Sequence, residues 1–325
     1  MKYIKSRSVA HINKEKGGRA VKVLFIIGMV FFAQPVSSNV TLQYKGEQVK
    51  DIERKEFTEG VPGFPLLNEE KYEELVENIK NETYKPAIDA HINKYGEVVK
   101  EKTGEILNKE KFRDRFLTQF YGNDGDTIEI PMHTTYPKVD SELLVNIKTR
   151  LIGQYVTYFN TRNEARSHNI DLATEELNNT VVFPNETFSF NKTVGKRTAD
   201  RGYLKAPVIV KGELAEDIGG GICQVSSTLF NAVEKAGTEI VERYSHSKRV
   251  TYVPEGRDAT VSWYGPDFRF KNQYNQPILI RAHTYGSQMI VRIYSSEEIN
   301  YNPNKVPNPS KELPKEKRTI KPLSY

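Results

Sequence analysis

In Gly219-Gly-Gly-Ile-Cys-Gln-Val-Ser-Ser-Thr-Leu-Phe-Asn-Ala232 a glycine turn runs straight into a helix. Gly219, Gly220 and Gly221 permit backbone angles and close approaches that a side chain forbids. Beyond them Val225, Leu229, Ala232, Val233 and Ala236 recur at helical spacing and form a stripe for burial. Gly237 stands where a helix of that length would end. Cys223 therefore falls at or beside the helix N-terminus, where the macrodipole and unpaired N–H groups favour a thiolate. A glycine turn before a helix can also cradle phosphate, but no Lys-Ser/Thr pair follows, which excludes a P-loop.

A nucleophilic thiolate needs a base, and the base needs an orienting group. His246, in Tyr244-Ser-His-Ser-Lys-Arg-Val250, is predicted to enter a strand, and Asp258, in Pro254-Glu-Gly-Arg-Asp-Ala-Thr-Val261, to enter another after a turn. Cysteine on a helix N-terminus, then histidine, then an acid is similar to the order in transglutaminase-like and NlpC-like hydrolases. The plainer alternative makes Cys223 a small buried hydrophobe, with His246 and Asp258 satisfying loop backbone. One cysteine and six dispersed histidines offer no standard zinc spacing, so neither a metal nor a cofactor is expected. The single cysteine also rules out an intramolecular disulfide.

From Val181 onward the chain is rich in β-branched residues, glycine and aromatics, as expected of a mostly antiparallel sheet packed on the Cys223 helix. Residues 140–180 read as two helical pieces, one after Asp140-Ser141 and one from about Asn163. Together with this lead-in, the C-terminal domain spans 140–298. A smaller module is expected over 66–138. There Asn68 caps a helix carrying Tyr72, Leu75, Val76 and Ile79, and Asn108 caps another carrying Phe112, Phe116, Leu117 and Phe120. Ile88, Ala90 and Ile92, then Ile128, Ile130 and Met132, alternate as strands do. The fold class that follows is α+β. Residues 39–65 read as a linker, and 299–325, with prolines at 303, 307, 309, 314 and 322 among lysines, as a disordered tail.

Seven basic residues and one Glu in the first 38 positions precede the apolar run Val23–Ala33, the layout of a secretory signal peptide. Eleven such residues rise about 16 Å as a helix against a hydrocarbon core of about 30 Å, which favours a cleaved signal over a stable membrane anchor. The chain is therefore expected to be exported, and held at the membrane if the signal stays uncleaved. This segment carries +6 and the residues from Tyr301 onward +4, so with a whole-chain formal charge of +5 the middle is net acidic, near −5. That distribution excludes a basic nucleic-acid-binding face.

Several separated motifs resemble the VanW family: Val182-Phe-Pro-Asn-Glu-Thr-Phe-Ser-Phe-Asn191, Gly195-Lys-Arg-Thr198, Arg201-Gly-Tyr203, Ala206-Pro-Val-Ile-Val210, the Gly219–Ala232 run, His246-Ser247, Gly256-Arg-Asp-Ala-Thr260, and Asn272 through Pro277-Ile-Leu-Ile280. The resemblance covers about 151–295. One departure is Asn185, where the family usually has Gly. Asn tolerates positive φ best among the other residues, so the turn can survive. More weakly, 66–138 resembles the peptidoglycan-binding module that precedes VanW domains and some L,D-transpeptidase domains. These resemblances imply a cell-envelope setting, a link to vancomycin resistance, and peptidoglycan or a stem-peptide-containing precursor as partner. Arg197, Arg201 and Arg257 are candidates for holding a stem-peptide carboxylate. Tyr203, Trp263 and Tyr264 are candidates for stacking on sugars, and Gln224 and Ser226 are further candidate ligand contacts beside Cys223. The leading expectation is a non-catalytic accessory that binds peptidoglycan. The alternative is a cysteine-dependent hydrolase or transpeptidase acting on wall peptide or amide bonds.

Overall fold

The computed structural model describes residues 39–60, 65–122, 127–210 and 213–309. The expected signal or anchor, residues 1–38, lies outside them, as does the expected tail from 310 onward. The fold is α+β, as predicted. Among the described residues no helix is long and apolar enough to cross a membrane.

The N-terminal module runs β1 (Asn39–Tyr44), β2 (Glu47–Glu53), β3 (Thr58–Glu59), β4 (Leu66–Leu67), α1 (Glu69–Thr83), β5 (His91–Ile92), β6 (Val98–Val99), β7 (Gly104–Leu107), α2 (Lys109–Tyr121), β8 (Thr127–Glu129) and β9 (Met132–Thr135). Asn68 and Asn108 cap the two helices, each accepting from the N–H three residues on, at 2.9 and 3.0 Å. Side-chain oxygens there satisfy N–H groups that no helical carbonyl reaches. Tyr72, Leu75, Val76 and Ile79 of α1 and Phe112, Phe116 and Phe120 of α2 are all buried in one aromatic-rich core.

The expected linker 39–65 is instead the start of this module. Val40 and Leu42 alternate into its core, and β1 lies between β2, antiparallel, and β8, parallel. The hairpin turns through Lys45 and Gly46, both at positive φ (54° and 80°), the two-residue geometry that matches strand twist. The alternation at 88–92 yields only the short β5. Ile88 forms an isolated bridge to Lys102 and stays half exposed.

The C-terminal domain continues with α3 (Ser141–Ile147), β10 (Arg150–Tyr158), α4 (Glu164–Leu177), β11 (Thr180–Val182), β12 (Thr187–Ser189), α5 (Phe190–Val194), β13 (Lys205–Val210), β14 (Glu213–Ile218), α6 (Ile222–Lys235), β15 (Glu239–Glu242), β16 (Arg269–Lys271), β17 (Ile278–Tyr285) and β18 (Gln288–Ser295). The two helical pieces predicted for 140–180 form, capped by Asp140 and Asn163, but β10 separates them. β10 is an edge strand of the sheet β10-β18-β17-β11, and α6 packs across it. A bulge between Leu151 and Gly153 puts Ile152 and Gly153 both inside, which breaks the alternation a reader would look for. At Gly153 the helix comes so close that a Cβ would lie 2.4 Å from the Ala232 carbonyl oxygen.

The first residues of the expected tail are ordered against the domain. Ile299 is buried, Tyr301 and Val306 pack on the main core, the Asn304 N–H reaches the Lys235 carbonyl at 3.1 Å, and Tyr155 Oη donates to the Pro307 carbonyl at 2.9 Å. Proline there fixes an extended strap rather than loosening it. A small cluster of Ala90, Ile92, Val139, Leu144, Ile147 and Leu279 joins module to domain. Asn179, at φ 66°, clips the joint by accepting from the Ile92 N–H at 2.9 Å and donating to its carbonyl at 3.1 Å.

Candidate active site

The β13–β14 hairpin returns the chain to Gly219-Gly-Gly221, where the turn is fixed by what surrounds it. Gly220 has no room for a side chain, because a Cβ would lie 2.5 Å from the Ala206 carbonyl oxygen. Gly221, at φ 107°, is the N-cap of α6, and no side chain caps the helix there. Asn169 on α4, wholly buried, holds the turn. Its Oδ1 accepts from the Leu204 N–H at 2.8 Å and its Nδ2 donates to the carbonyls of Leu204 and Gly220 at 2.9 and 3.0 Å. Cys223 is the second residue of the helix and is partly exposed.

The structure brings Cys223, His246 and Asp258 together. His246 Nδ1 and the His246 backbone N–H both meet Asp258 Oδ2 at 2.6 Å, so one carboxylate oxygen fixes ring and main chain at once. With Nδ1 so engaged, the other ring nitrogen is the one left to act on the Cys223 thiol, with which the ring interacts electrostatically. Burial alone would push the thiol up, but the imidazole of His246 and its charge, a contact to the Val261 carbonyl and the charge of Arg197 bring it below its ordinary value. Burial alone would lower His246, yet Cys223 and Asp258 raise it. Asp258 is likewise raised by burial and lowered more by the His246 N–H groups. The arrangement favours a thiolate beside an imidazolium. The His246 and Asp258 side chains are only 7% and 9% exposed, whereas Cys223 is partly exposed.

Neither His246 nor Asp258 enters a strand, contrary to expectation. Residues 243–268 form an irregular loop whose backbone is paired with the polar side of α6. Ser226 Oγ donates to the Ala259 carbonyl at 2.6 Å, and the Ala259 N–H donates to Ser227 Oγ at 2.8 Å. Asn231 Nδ2 donates to the Arg257 carbonyl at 2.8 Å and its Oδ1 accepts from Arg257 Nε at 2.9 Å. Arg243 bonds the Asp258 carbonyl at 2.6 Å, and the Arg243 and Arg257 guanidiniums lie 4.9 and 4.7 Å from the Phe230 ring centroid. Helix side chains replace the neighbouring strand that this loop lacks, and satisfy backbone groups of Arg257 and Ala259 without a ladder.

The other candidates divide. Gln224 and Ser226 are wholly buried and spent internally: Gln224 Nε2 donates to Thr157 Oγ1 at 2.9 Å while its Oε1 accepts from Arg166 at 2.7 Å. Arg257 pairs with Glu234, and Arg201 pairs with Glu176 while donating to the carbonyls of Val194 and Lys196. Tyr203 is 2% exposed, too enclosed to stack on a sugar, whereas Trp263 and Tyr264 are exposed. Arg197 is half-buried and hydrogen-bonds Asn191 and Gly195. Among the described residues no three His, Cys, Asp or Glu side chains are placed to hold a metal.

Ser227, Asn231, Arg243 and Tyr252 escaped the sequence reading. Tyr252 lies near the array, and burial with the nearby Cys223 charge pushes its phenol well above its ordinary value. Ser227, Asn231 and Glu234 do recur at helical spacing opposite the apolar stripe, a signal that was available.

Residues 165–294 match the family model described as "VanW like protein", and residues 43–129 match that described as "Putative peptidoglycan binding domain". The chain is 51% identical over 295 residues to "Uncharacterized protein YoaR" of Bacillus subtilis, covering 90% of this chain and 97% of that one. It is 32% identical over 140 residues to "Vancomycin B-type resistance protein VanW" of Enterococcus faecalis, covering 42% of this chain and 51% of that one. No solved structure matches.

Proposed function

Because this chain belongs to the VanW family and carries a module of the peptidoglycan-binding type ahead of that domain, we propose that it is an exported cysteine-dependent hydrolase or transpeptidase of wall peptide or amide bonds. Its cell-wall association follows from family and module; the reaction rests on one observation, the placement of His246 between Cys223 and Asp258. The Cys223 thiolate attacks the carbonyl carbon, with N–H groups of the first turn of α6 facing the developing oxyanion. His246 gives its proton to the departing amine nitrogen, leaving a thioester on Cys223. Water or a second amine then attacks the thioester, passing a proton to His246 and releasing an acid or a new amide. Asp258 holds the ring in the orientation that both proton transfers need.

Export rests on the basic segment followed by Val23–Ala33, which would serve as a signal peptide or, uncleaved, as a membrane anchor. The module would hold the enzyme on its polymer, in wall maintenance or glycopeptide resistance. A non-catalytic binding role is the second reading, favoured by the near-complete burial of His246 and Asp258.

Wall digestion separates the two. Purified peptidoglycan incubated with the ectodomain should release or rearrange peptides, and Cys223→Ala should abolish this while still binding sacculi. Identical digests from both proteins, with equal binding, would leave the binding role standing and remove the enzymatic one.

A further inference from the structure

Of the three arginines that the sequence offers for a carboxylate, two are already neutralised. Arg201 meets Glu176 at 2.7 Å and Arg257 pairs with Glu234. Arg197 differs: among the described residues no carboxylate pairs with it, and its hydrogen bonds run from Nη1 to Asn191 Oδ1 at 2.8 Å and to the Gly195 carbonyl at 3.2 Å. The nearby carboxylate of Asp267 is committed elsewhere, to Ser189 Oγ and to the N–H groups of Asn191 and Phe268. Yet Arg197 is half-buried, where a lone charge is costly unless a partner arrives.

Its position relates it to the nucleophile. The Arg197 side chain lies along the glycine turn, its Cβ 3.1 Å from where a Cβ on Gly219 would stand, four residues before Cys223. The two residues interact electrostatically, the cation lowering the thiol. A second group in this neighbourhood also lacks a partner: the Tyr203 hydroxyl is buried with no hydrogen-bond acceptor or donor, on a side chain 2% exposed, and it too feels Arg197. A partly desolvated guanidinium that interacts with the sulfur, and next to it a buried hydroxyl with a donor to spare, match the needs of an anionic oxygen ligand.

We propose that Arg197, with Tyr203 behind it, selects the substrate of the Cys223 site by pairing with a carboxylate that the acyl donor carries close to the bond under attack. The substrate class is thus an anionic peptide, with a free carboxylate within about one residue of the reacting carbonyl. This rests on the catalytic reading of Cys223 and adds its specificity. Arg197 is a recognition residue here and takes no part in proton transfer.

Two alkylating agents of nearly equal size test this without knowledge of the natural substrate. Iodoacetate carries a carboxylate next to its reactive carbon, and iodoacetamide carries a neutral amide. On the folded ectodomain the iodoacetate-to-iodoacetamide rate ratio at Cys223 should exceed that of free cysteine by about tenfold, the scale of one charge in a partly desolvated site. Arg197→Gln should remove most of that excess, Arg197→Lys should keep much of it, and added salt should reduce it. The imidazolium of His246 is present in all three proteins, so the difference between them reports Arg197 alone. Fast labelling by both reagents with a ratio unchanged in Arg197→Gln would overturn the proposal and leave the catalytic reading intact. Slow labelling by both, rising only in the range of an ordinary thiol, would overturn the catalytic reading and this one with it.

Discussion

The helices of the N-terminal module and helix α6 are buried in opposite ways. α1 and α2 place Tyr72, Leu75, Val76, Ile79, Phe112, Phe116 and Phe120 inside, and of their polar residues only Thr83 is buried. α6 buries Gln224, Ser226, Ser227, Thr228 and Asn231 as completely as Val225 and Leu229, and every one of those five is hydrogen-bonded. Apolar burial supplies cohesion without direction, whereas buried hydrogen bonds define where their partners stand. Cohesion is what the buried faces of the module's helices supply. α6 must also aim a loop that has no strands of its own, since Ser226, Ser227 and Asn231 pin the backbone on either side of Asp258, and Asp258 in turn holds His246.

The largest change should come from the aromatic side of this contrast. Phe116 touches Phe57, Tyr72, Phe112 and Phe120, and Phe116→Ala should cost about 3–5 kcal/mol in denaturant unfolding of the module. Its labelling rate at Cys223 should match wild type. A matching loss of thiol reactivity would show that the two regions are one unit and break the comparison. Next in size is Asn231→Ala, which strands the Arg257 carbonyl and Nε and should cost about 1–3 kcal/mol. Here slower alkylation of Cys223 near neutral pH should accompany the instability, because the loop that carries Asp258 is released. Asn179→Gly keeps the positive φ but removes both bonds to Ile92, and should cost about 1 kcal/mol, seen as earlier melting of the module relative to the C-terminal domain.

The smallest test concerns a slope. Asp258 is held below its ordinary value when folded, so its stabilisation is complete above the usual carboxylate range and is lost as pH falls through the folded value. His246, raised on folding, contributes below the usual imidazole range and loses its share as pH rises through its own folded value. The stability gap between wild type and Asp258→Asn should therefore be open near neutral pH and close on acidification. A gap independent of pH would mean that Asp258 works through shape, like the apolar residues of the module.

What could be read in advance follows the same division. The stripe Val225, Leu229, Ala232, Val233 and Ala236, the caps at Asn68, Asn108, Asp140 and Asn163, and the positive φ of Asn185 (65°) are each set within a few residues, so spacing and residue type reveal them. The order cysteine, histidine, acid was also visible. That the three meet was not, because the contact depends on Ser227 and Asn231 reaching a loop 26 to 32 residues away. β10 was hidden by its bulge, and β1 and β2 by the polar look of 39–65 despite the Val40, Leu42 alternation and the Lys45-Gly46 turn. The strap 299–309 looked too poor in apolar surface to fold alone. It is held by a surface that other elements provide.

That strap has a further consequence, in solubility. β10 is the outermost strand of its sheet, bonded on one side to β18, and an open strand edge is a template for pairing with another chain. Tyr155, on β10 itself, is tied to Pro307, and Asn308 and Pro309 line the same hollow as residues 151–156 of the strand. Proline cannot extend a ladder, so the strap occupies the approach to the edge without offering an edge of its own. A chain cut after Ser295 would keep Cys223, His246, Asp258 and its sheet, and should be prone to clump through β10.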